Sequence, residues 1–307
     1  MYIFKNDNWK LEEIKQLKFS LEKEMQILTE KNLENIFWLE FIATEFQLNN
    51  LRIDTLAFDN ETNSFVIIEY KRWTSYSVVD QWMTYLALLL NNKADFIQEL
   101  ARKRNKFIDK KDIDWSQSKV IIVADSFNRY QKESINFKDL PIELYELKQF
   151  ENWIIVYNPI IADNTTQSIK TITKFQTKEF KEVNKEIKTY DEYYHLNWVN
   201  KEIKEIYEDL KSFILSLNPN IRIEYRKVYI AFKLGKNNIV DITIKKSLIK
   251  LRLNLKWWEI IDNYWLCKNV SQQGHWWNWD YEIKIYDKTN LWKVKDLIKQ
   301  AYLKYNL

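Results

Sequence analysis

The run Ser64-Phe-Val-Ile-Ile-Glu-Tyr-Lys71 carries apolar side chains on both of its β faces, and it constrains the fold more than any other stretch. Phe65 and Ile67 share a face with Glu69 and Lys71, while Val66, Ile68 and Tyr70 fill the other. A strand apolar on both sides is covered on both sides, which places it inside a sheet flanked by two layers. The run before it, Leu51-Arg-Ile-Asp-Thr-Leu-Ala-Phe58, is also β-patterned. Between them, Asp59-Asn60-Glu61-Thr62-Asn63 is rich in turn residues, so the pair reads as a hairpin. A loop centred on Glu61 and Thr62 sets Asp54 across from Glu69, with Cβ atoms about 5 Å apart. The two-residue period then brings Lys71 onto the same face. Opposed carboxylates weaken a sheet unless positive charge lies between them, and a divalent cation would supply it. The blander reading is a sheet face that merely carries charge, since Asp, Glu and Lys are common on surfaces. Apolar cover on both faces of the second strand argues against it.

The 307 residues suffice for two domains, each with its own core. Lys+Arg 47 against Asp+Glu 43 gives a formal charge of +4, so any basic surface must be local. The single cysteine, Cys267, excludes an internal disulfide framework, and with only His195 and His275 beside it a structural zinc site is not expected. The longest purely apolar stretch, Tyr85 to Leu90, is too short to span a bilayer, and the N-terminal residues lack signal-peptide character. A cytoplasmic protein with no membrane partner is the expectation.

Gly 2 and Trp 14 are out of proportion, since glycine ordinarily makes up about 7% of residues. Four tryptophans follow asparagine, at Asn8-Trp9, Asn152-Trp153, Asn197-Trp198 and Asn278-Trp279, where the flanking pattern asks for a tight turn. Asn-Gly is the favoured pair in such turns, and a bulky indole is strained where φ is positive. Many of these tryptophans are therefore expected to stand where the gene specifies glycine, through UGA codons read under the wrong genetic code. The alternatives are a tryptophan-rich protein as such, or aromatic platforms for base stacking.

Along the chain, the first 18 residues read as a short hairpin around Asn6-Asp7-Asn8-Trp9. Ser20 is placed to cap a helix to about Phe37, with Glu22, Gln26 and Glu30 in one line at intervals of four. A buried helix spans Val78 to about Asn91, with Gln81 and Tyr85 as its polar exceptions, and Ala94 to Lys111 reads as a basic helix. Strands are expected at Lys119–Ala124, Ile142–Leu147 and Trp153–Tyr157. Residues 163–189 lack apolar periodicity and read as a linker between domains 1–162 and 190–307. The second half reads as a helix from Asn200 to Leu217, strands near Ile221–Tyr225, Tyr229–Leu234, Ile239–Lys245, Ile249–Leu255 and Tyr281–Ile285, and a helix from Leu291 to Tyr305.

The order helix, hairpin bearing Asp54 and then Glu69-Tyr70-Lys71, and helix with Gln81 and Tyr85 resembles the PD-(D/E)XK nuclease superfamily, in its NucS-type and RecB-like branches. The resemblance covers roughly the first half and implies an α/β (α+β) fold: a restriction-endonuclease-like mixed sheet flanked by helices, followed here by a smaller α+β domain. Trp82 departs from the glycine common after that glutamine. The second half is similar to an uncharacterised domain appended to such nucleases and sometimes labelled a predicted transport protein, through Leu234-Gly-Lys, Val240-Asp-Ile and Gly274-His-Trp-Trp-Asn-Trp-Asp-Tyr-Glu.

That resemblance implies a metal-dependent DNA endonuclease in repair or defence. Asp54 and Glu69, with the backbone carbonyl of Tyr70, would hold Mg²⁺ or Mn²⁺, hard ions that take oxygen ligands. Lys71 would orient or deprotonate the attacking water or hold developing negative charge, and Gln81 would bond the water or a phosphate oxygen. Glu22, with Glu30 second, stands where the family carries a helix glutamate, and both are also ordinary solvent-facing helix residues. Tyr85 reads as core. Arg52, Arg72, Arg102 and Arg104 are the candidate phosphate contacts on DNA. A homodimer or a protein partner through the second domain is open. The competing function is a non-catalytic nucleic-acid-binding or interaction protein on the same fold. His275 and Asp241 suggest a second site only faintly, a lone loop His being more often structural.

Overall fold

The computed structural model of the protein describes residues 2–48, 51–72, 78–134, 140–160, 178–256, 258–271 and 280–305. It divides into two compact units, Met1–Thr189 and Tyr190–Leu307. Among the described residues no helix is long and apolar enough to cross a membrane.

The first unit is built on a seven-stranded mixed sheet. Its chain begins with a separate hairpin, β1 (Ile3–Asp7) and β2 (Lys10–Ile14), then β3 (Gln16–Leu17) and two short helices, α1 (Glu22–Glu30) and α2 (Leu33–Ile36). The single helix expected from Ser20 to Phe37 is thus broken at Lys31 and Asn32. Its start is held by Glu24 rather than by the Ser20 side chain: the Glu24 carboxylate accepts from the Ser20 and Leu21 N–H groups at 2.8 and 3.3 Å. Strands β4 (Glu40–Leu48), β5 (Leu51–Asp59) and β6 (Ser64–Lys71) follow as an antiparallel meander. Helices α3 (Val78–Asn91) and α4 (Lys93–Arg104) cross over to β7 (Lys119–Ala124), and α5 (Arg129–Ser134) leads to β8 (Ile142–Phe150), which turns into β9 (Ile155–Ile160). Strands β6, β7 and β8 run parallel, and β3 and β9 pair antiparallel with β8.

The double-sided patterning of β6 is realised as two cores. Phe65 and Ile67 pack with Val120, Ile122, Leu144 and the apolar residues of α3 and α4, such as Leu86 and Phe96. Val66, Ile68 and Tyr70 pack on the opposite face with Met25, Leu33, Val123 and Leu147. Helix α6 (Lys178–Glu186) falls in the stretch expected to be a bare linker, yet Val183 and, just past it, Ile187 are buried in the first unit's core. Phe180, Val183 and Ile187 stand three and four apart, a period too short among the surrounding polar residues to set against a linker reading.

In the second unit, α7 (Glu192–Leu196) and α8 (Lys201–Leu217) precede β10 (Ile221–Tyr225), β11 (Ile230–Leu234), β12 (Asn237–Lys245), β13 (Leu248–Leu253), β14 (Lys268–Asn269), β15 (Tyr281–Ile285) and α9 (Leu291–Tyr305). The antiparallel sheet runs β10-β11-β12-β13-β15-β14. Helices α8 and α9 bury Ile206, Leu210, Leu297 and Ile298 against Phe232, Ile242, Leu251 and Ile283. Glu192 binds the unit's start to its body, its Oε1 accepting from Tyr207 Oη, Lys211 Nζ and Tyr225 Oη at 2.9, 2.5 and 3.2 Å.

The described tryptophans differ sharply in their settings. Trp115 is buried and stacks on Phe65 with ring centroids 5.4 Å apart. Trp9, Trp38, Trp153 and Trp265 instead have φ of 67°, 58°, 62° and 57°. Asn8 and Asn152 are also left-handed, so the Asn8-Trp9 and Asn152-Trp153 pairs take the double positive-φ geometry expected of Asn-Gly turns. Asn197 is different: it ends α7 at φ −62°, so no such turn forms at Asn197-Trp198. Asn278-Trp279 and Trp277 lie outside the described residues, as does the side chain of Trp82.

Candidate active site

The β5–β6 hairpin has the register that opposes Asp54 to Glu69. Thr55 pairs Ile68 and Asp59 pairs Ser64, and the Asp59 carboxylate closes the turn by accepting from Glu61 N and Thr62 N at 2.9 and 3.2 Å. Continuing the register one step beyond Thr55 sets Asp54 opposite Glu69. There the backbone ladder stops and side chains replace it. Glu69 Oε1 accepts from Asp54 N at 3.2 Å, and Asp54 Oδ2 accepts from Tyr70 N at 3.1 Å. The carboxylates thus fill the gap where the strands part.

Lys71 Nζ lies 3.6 Å from Glu69 Oε2. Glu69 is only 2% exposed. Burial, reinforced by the negative charge of Asp54, pushes its carboxyl up to about 8, against the opposing pull of the Asp54 N–H, Lys71 and Tyr85. Tyr85 on α3 hydrogen-bonds this carboxyl, and burial and the neighbouring acids push its phenol upward. Tyr85, read from sequence as core, therefore reaches the site. The helical spacing of Gln81 and Tyr85 was the signal. Gln81 is carried by α3, and its side chain lies outside the described residues.

Beneath Asp54 a polar seam comes from α1, on the sheet face opposite Glu69. Gln26 Nε2 donates to the Asp54 carbonyl at 2.7 Å and to Glu30 Oε1 at 2.9 Å. Glu30 also accepts from Thr55 Oγ1 at 2.7 Å. Gln26 was not singled out as a site residue, although it stands in the Glu22, Gln26, Glu30 line. Glu22 is not beside Glu69: its Oε1 accepts from Arg72 N at 2.8 Å, which ties the start of α1 to the chain just past β6. The Arg72 guanidinium bonds the Ser20 carbonyl.

The four arginines separate. Arg52 lies two residues from Asp54, 2.9 Å from Glu45 Oε2, and Arg72 directly follows Lys71. Arg104 is held by Glu40 at 2.6 Å and lies over the Phe58 ring at 4.7 Å. That is the turn end of the hairpin, about 13 Å of strand from Asp54. Arg102 is paired with Glu99 on α4. Arg102 and Arg104 therefore do not converge with Asp54, because α4 leads its basic turn toward the opposite end of the hairpin. Glu45, in β4, has φ 50° and stands at the position opposite Asp54 that the β4–β5 pairing omits. Asp241 is buried on β12 with Asn238 donating to it at 3.0 Å, while His275 lies outside the described residues.

Among the described residues no cluster of three or more His, Cys, Asp or Glu side chains is placed to hold a metal. What the site offers is a pair of acids forced together, one of them buried, with an ammonium beside it. A hard divalent cation suits that donor set, because it supplies the positive charge that burial and the neighbouring Asp54 otherwise replace with a proton on Glu69.

Residues 192–304 match a family described as a domain of unknown function (DUF5655). An uncharacterized protein of Haemophilus influenzae (strain ATCC 51907 / DSM 11121 / KW20 / Rd) is 48% identical over 301 residues, which is 98% of this chain and 99% of that protein. A solved structure titled as an EndoMS–dsDNA2 complex aligns with a TM-score of 0.23 at 18% identity, over 39% of this chain and 43% of that one. That score is too low to bear on fold or function.

Proposed function

This chain belongs to the same family as the Haemophilus influenzae protein, and we propose that its first unit is a PD-(D/E)XK-type nuclease that hydrolyses phosphodiester bonds in DNA with the help of Mg²⁺ or Mn²⁺. The observation that carries the reading is the buried Glu69 carboxyl, raised to about 8 by burial and by Asp54, with Lys71 at 3.6 Å. A structural ion pair has no use for a second acid at that position. Perturbed groups of this kind cluster where chemistry is done. Asp54 and Glu69, with the Tyr70 carbonyl, are the residues that would hold the ion, which when bound polarises a phosphate oxygen and acidifies water. Lys71 orients the attacking water or takes up negative charge on the phosphate. Tyr85 fixes the Glu69 carboxyl through its hydroxyl. Glu22 positions the Lys71-Arg72 backbone through Arg72 N. Arg52 and Arg72 are the phosphate contacts that flank the site, and Gln81 is a further contact from α3.

The biological setting is repair or defence against foreign DNA, with the second unit selecting a substrate, a protein partner or a second copy. The competing reading, a DNA-binding protein without catalysis, is separated by one experiment. Plasmid, single-stranded and branched DNA are incubated with wild type, Asp54→Ala and Lys71→Ala in Mg²⁺ or Mn²⁺. Cleavage by wild type alone supports the nuclease. DNA binding without cleavage by any of the three leaves the binding module.

A further inference from the structure

The same sheet face carries a second charged group that the site described above does not use. Lys71 pairs in register with Ala124 of β7, and Ala124 with Glu146 of β8. Direct cross-strand partners point to one face, so Glu146 lies on the Glu69 and Lys71 side, two strands or about 10 Å from Lys71. The intervening side chain is only a methyl group. Glu146 is 6% exposed. It accepts from Lys132 of α5 at 2.7 Å and lies 3.4 Å from Lys148, one inward position further along β8. Burial alone would raise its carboxyl, but the two ammoniums hold it below the ordinary carboxylate range. Two lysines are thus clamped on one buried anion, with a net positive charge, at the carboxyl ends of parallel strands, where α/β sheets bind ligands.

We propose that Lys132 and Lys148 seat a backbone phosphate of the same nucleic-acid strand that lies over Glu69 and Lys71. The proposal rests on the nuclease reading for its ligand, and the seat fixes where the strand runs: from β6 across Ala124 to β8. Glu146 is a positioning residue, since it holds both ammoniums and touches no phosphate.

The test is binding of a fluorescent duplex oligonucleotide to the full chain without divalent metal, across a range of salt. Wild type is compared with Lys132→Gln/Lys148→Gln. The triple variant that adds Glu146→Gln is measured beside it, because the double variant leaves a buried carboxylate without its cations. The control is Lys5→Gln/Lys10→Gln on the exposed first hairpin. One lost phosphate contact makes the slope of log Kobs against log salt shallower by about 0.9. That loss in the double and triple variants, with the control unchanged, is the expected result. Slopes equal to wild type, or an equal loss in the control, overturn the seat. A changed slope without cleavage by the wild type keeps the seat and removes the nuclease reading. No DNA binding by wild type overturns both.

A different observation carries a second inference independently. We infer that the gene specifies glycine at Trp9, Trp38, Trp153 and Trp265. All four have φ between 57° and 67°. Trp9, Trp153 and Trp265 are 96%, 92% and 93% exposed, so burial of the indole does not offset the strain. Trp38 follows α2 where a left-handed residue closes a helix end: Phe37 N and Leu39 N both bond the Leu33 carbonyl. Glycine is the residue favoured at all of these places. Peptide mass mapping of the protein purified from its own cell is expected to read glycine at the four positions while Trp115 remains tryptophan. Tryptophan at the four would overturn it.

Discussion

Replacing Glu69 by glutamine should make the metal-free protein more stable at pH 8 and change little at pH 5. The carboxyl has an ordinary value of 4.5 and is raised to about 8 in the folded chain, first by burial and then by Asp54. A raised carboxyl binds its proton more tightly when folded. Its contribution is therefore fully present below pH 4.5 and is lost as pH rises toward 8. At 1.36 kcal/mol per pH unit, the interval from 4.5 to about 8 corresponds to about 5 kcal/mol. Because Glu69 is 2% exposed, solvent screening takes little from that figure. Glutamine keeps the shape and cannot ionise, so the decline should vanish with it. The assay is urea denaturation at a series of pH values between 4.5 and 8.5, in chelator, followed by Trp115 fluorescence in a variant whose exposed tryptophans are removed. Equal pH dependence in wild type and Glu69→Gln would refute the assignment of strain to this carboxyl.

Other expectations follow from the same geometry. Trp9→Gly and Trp153→Gly should each stabilise the protein by about 1–2 kcal/mol, read as higher urea midpoints, because each removes a left-handed bulky residue from a turn. Thr55→Val should cost about 1–3 kcal/mol, since it strips the donor from Glu30 and a hydroxyl partner from Tyr70 in the seam under Asp54. In the second unit, Glu192→Gln should cost about 2–3 kcal/mol by weakening the bonds from Lys211, Tyr207 and Tyr225. Calorimetry should assign that loss to a melting transition distinct from the one Glu69→Gln moves.

The hairpin that carries the candidate site was legible where local pattern and chemistry agreed. Alternation around Asp54 and Glu69-Tyr70-Lys71 marked the strands, and turn residues between them set a register that the Thr55–Ile68 pairing matches. Strand β4 was not read, because Glu40 to Leu48 mixes charge with apolar residues and contains the left-handed Glu45, which breaks the two-residue period. The family resemblance points to a helix glutamate, which favours Glu22 and Glu30 over Gln26 between them. A line of polar residues on a helix does not say which of them meets a sheet. Arg102 and Arg104 read as candidate phosphate contacts from charge alone, and only the direction of α4 brings Arg104 to Glu40 at the turn end of the hairpin. The cluster on Glu146 joins β8 to α5 over residues distant in sequence from Lys71, so no local motif could announce it.

The central claim is that Asp54 and Glu69 hold one divalent cation, and calorimetric titration of Mn²⁺ into wild type and Asp54→Asn at pH 7 tests it most directly. Wild type should take up one ion with release of close to one proton, measured from the dependence of the heat on buffer, because binding must drive the proton from Glu69. Asp54→Asn should bind far more weakly. Uptake without proton release, or identical binding by the two proteins, would contradict the account.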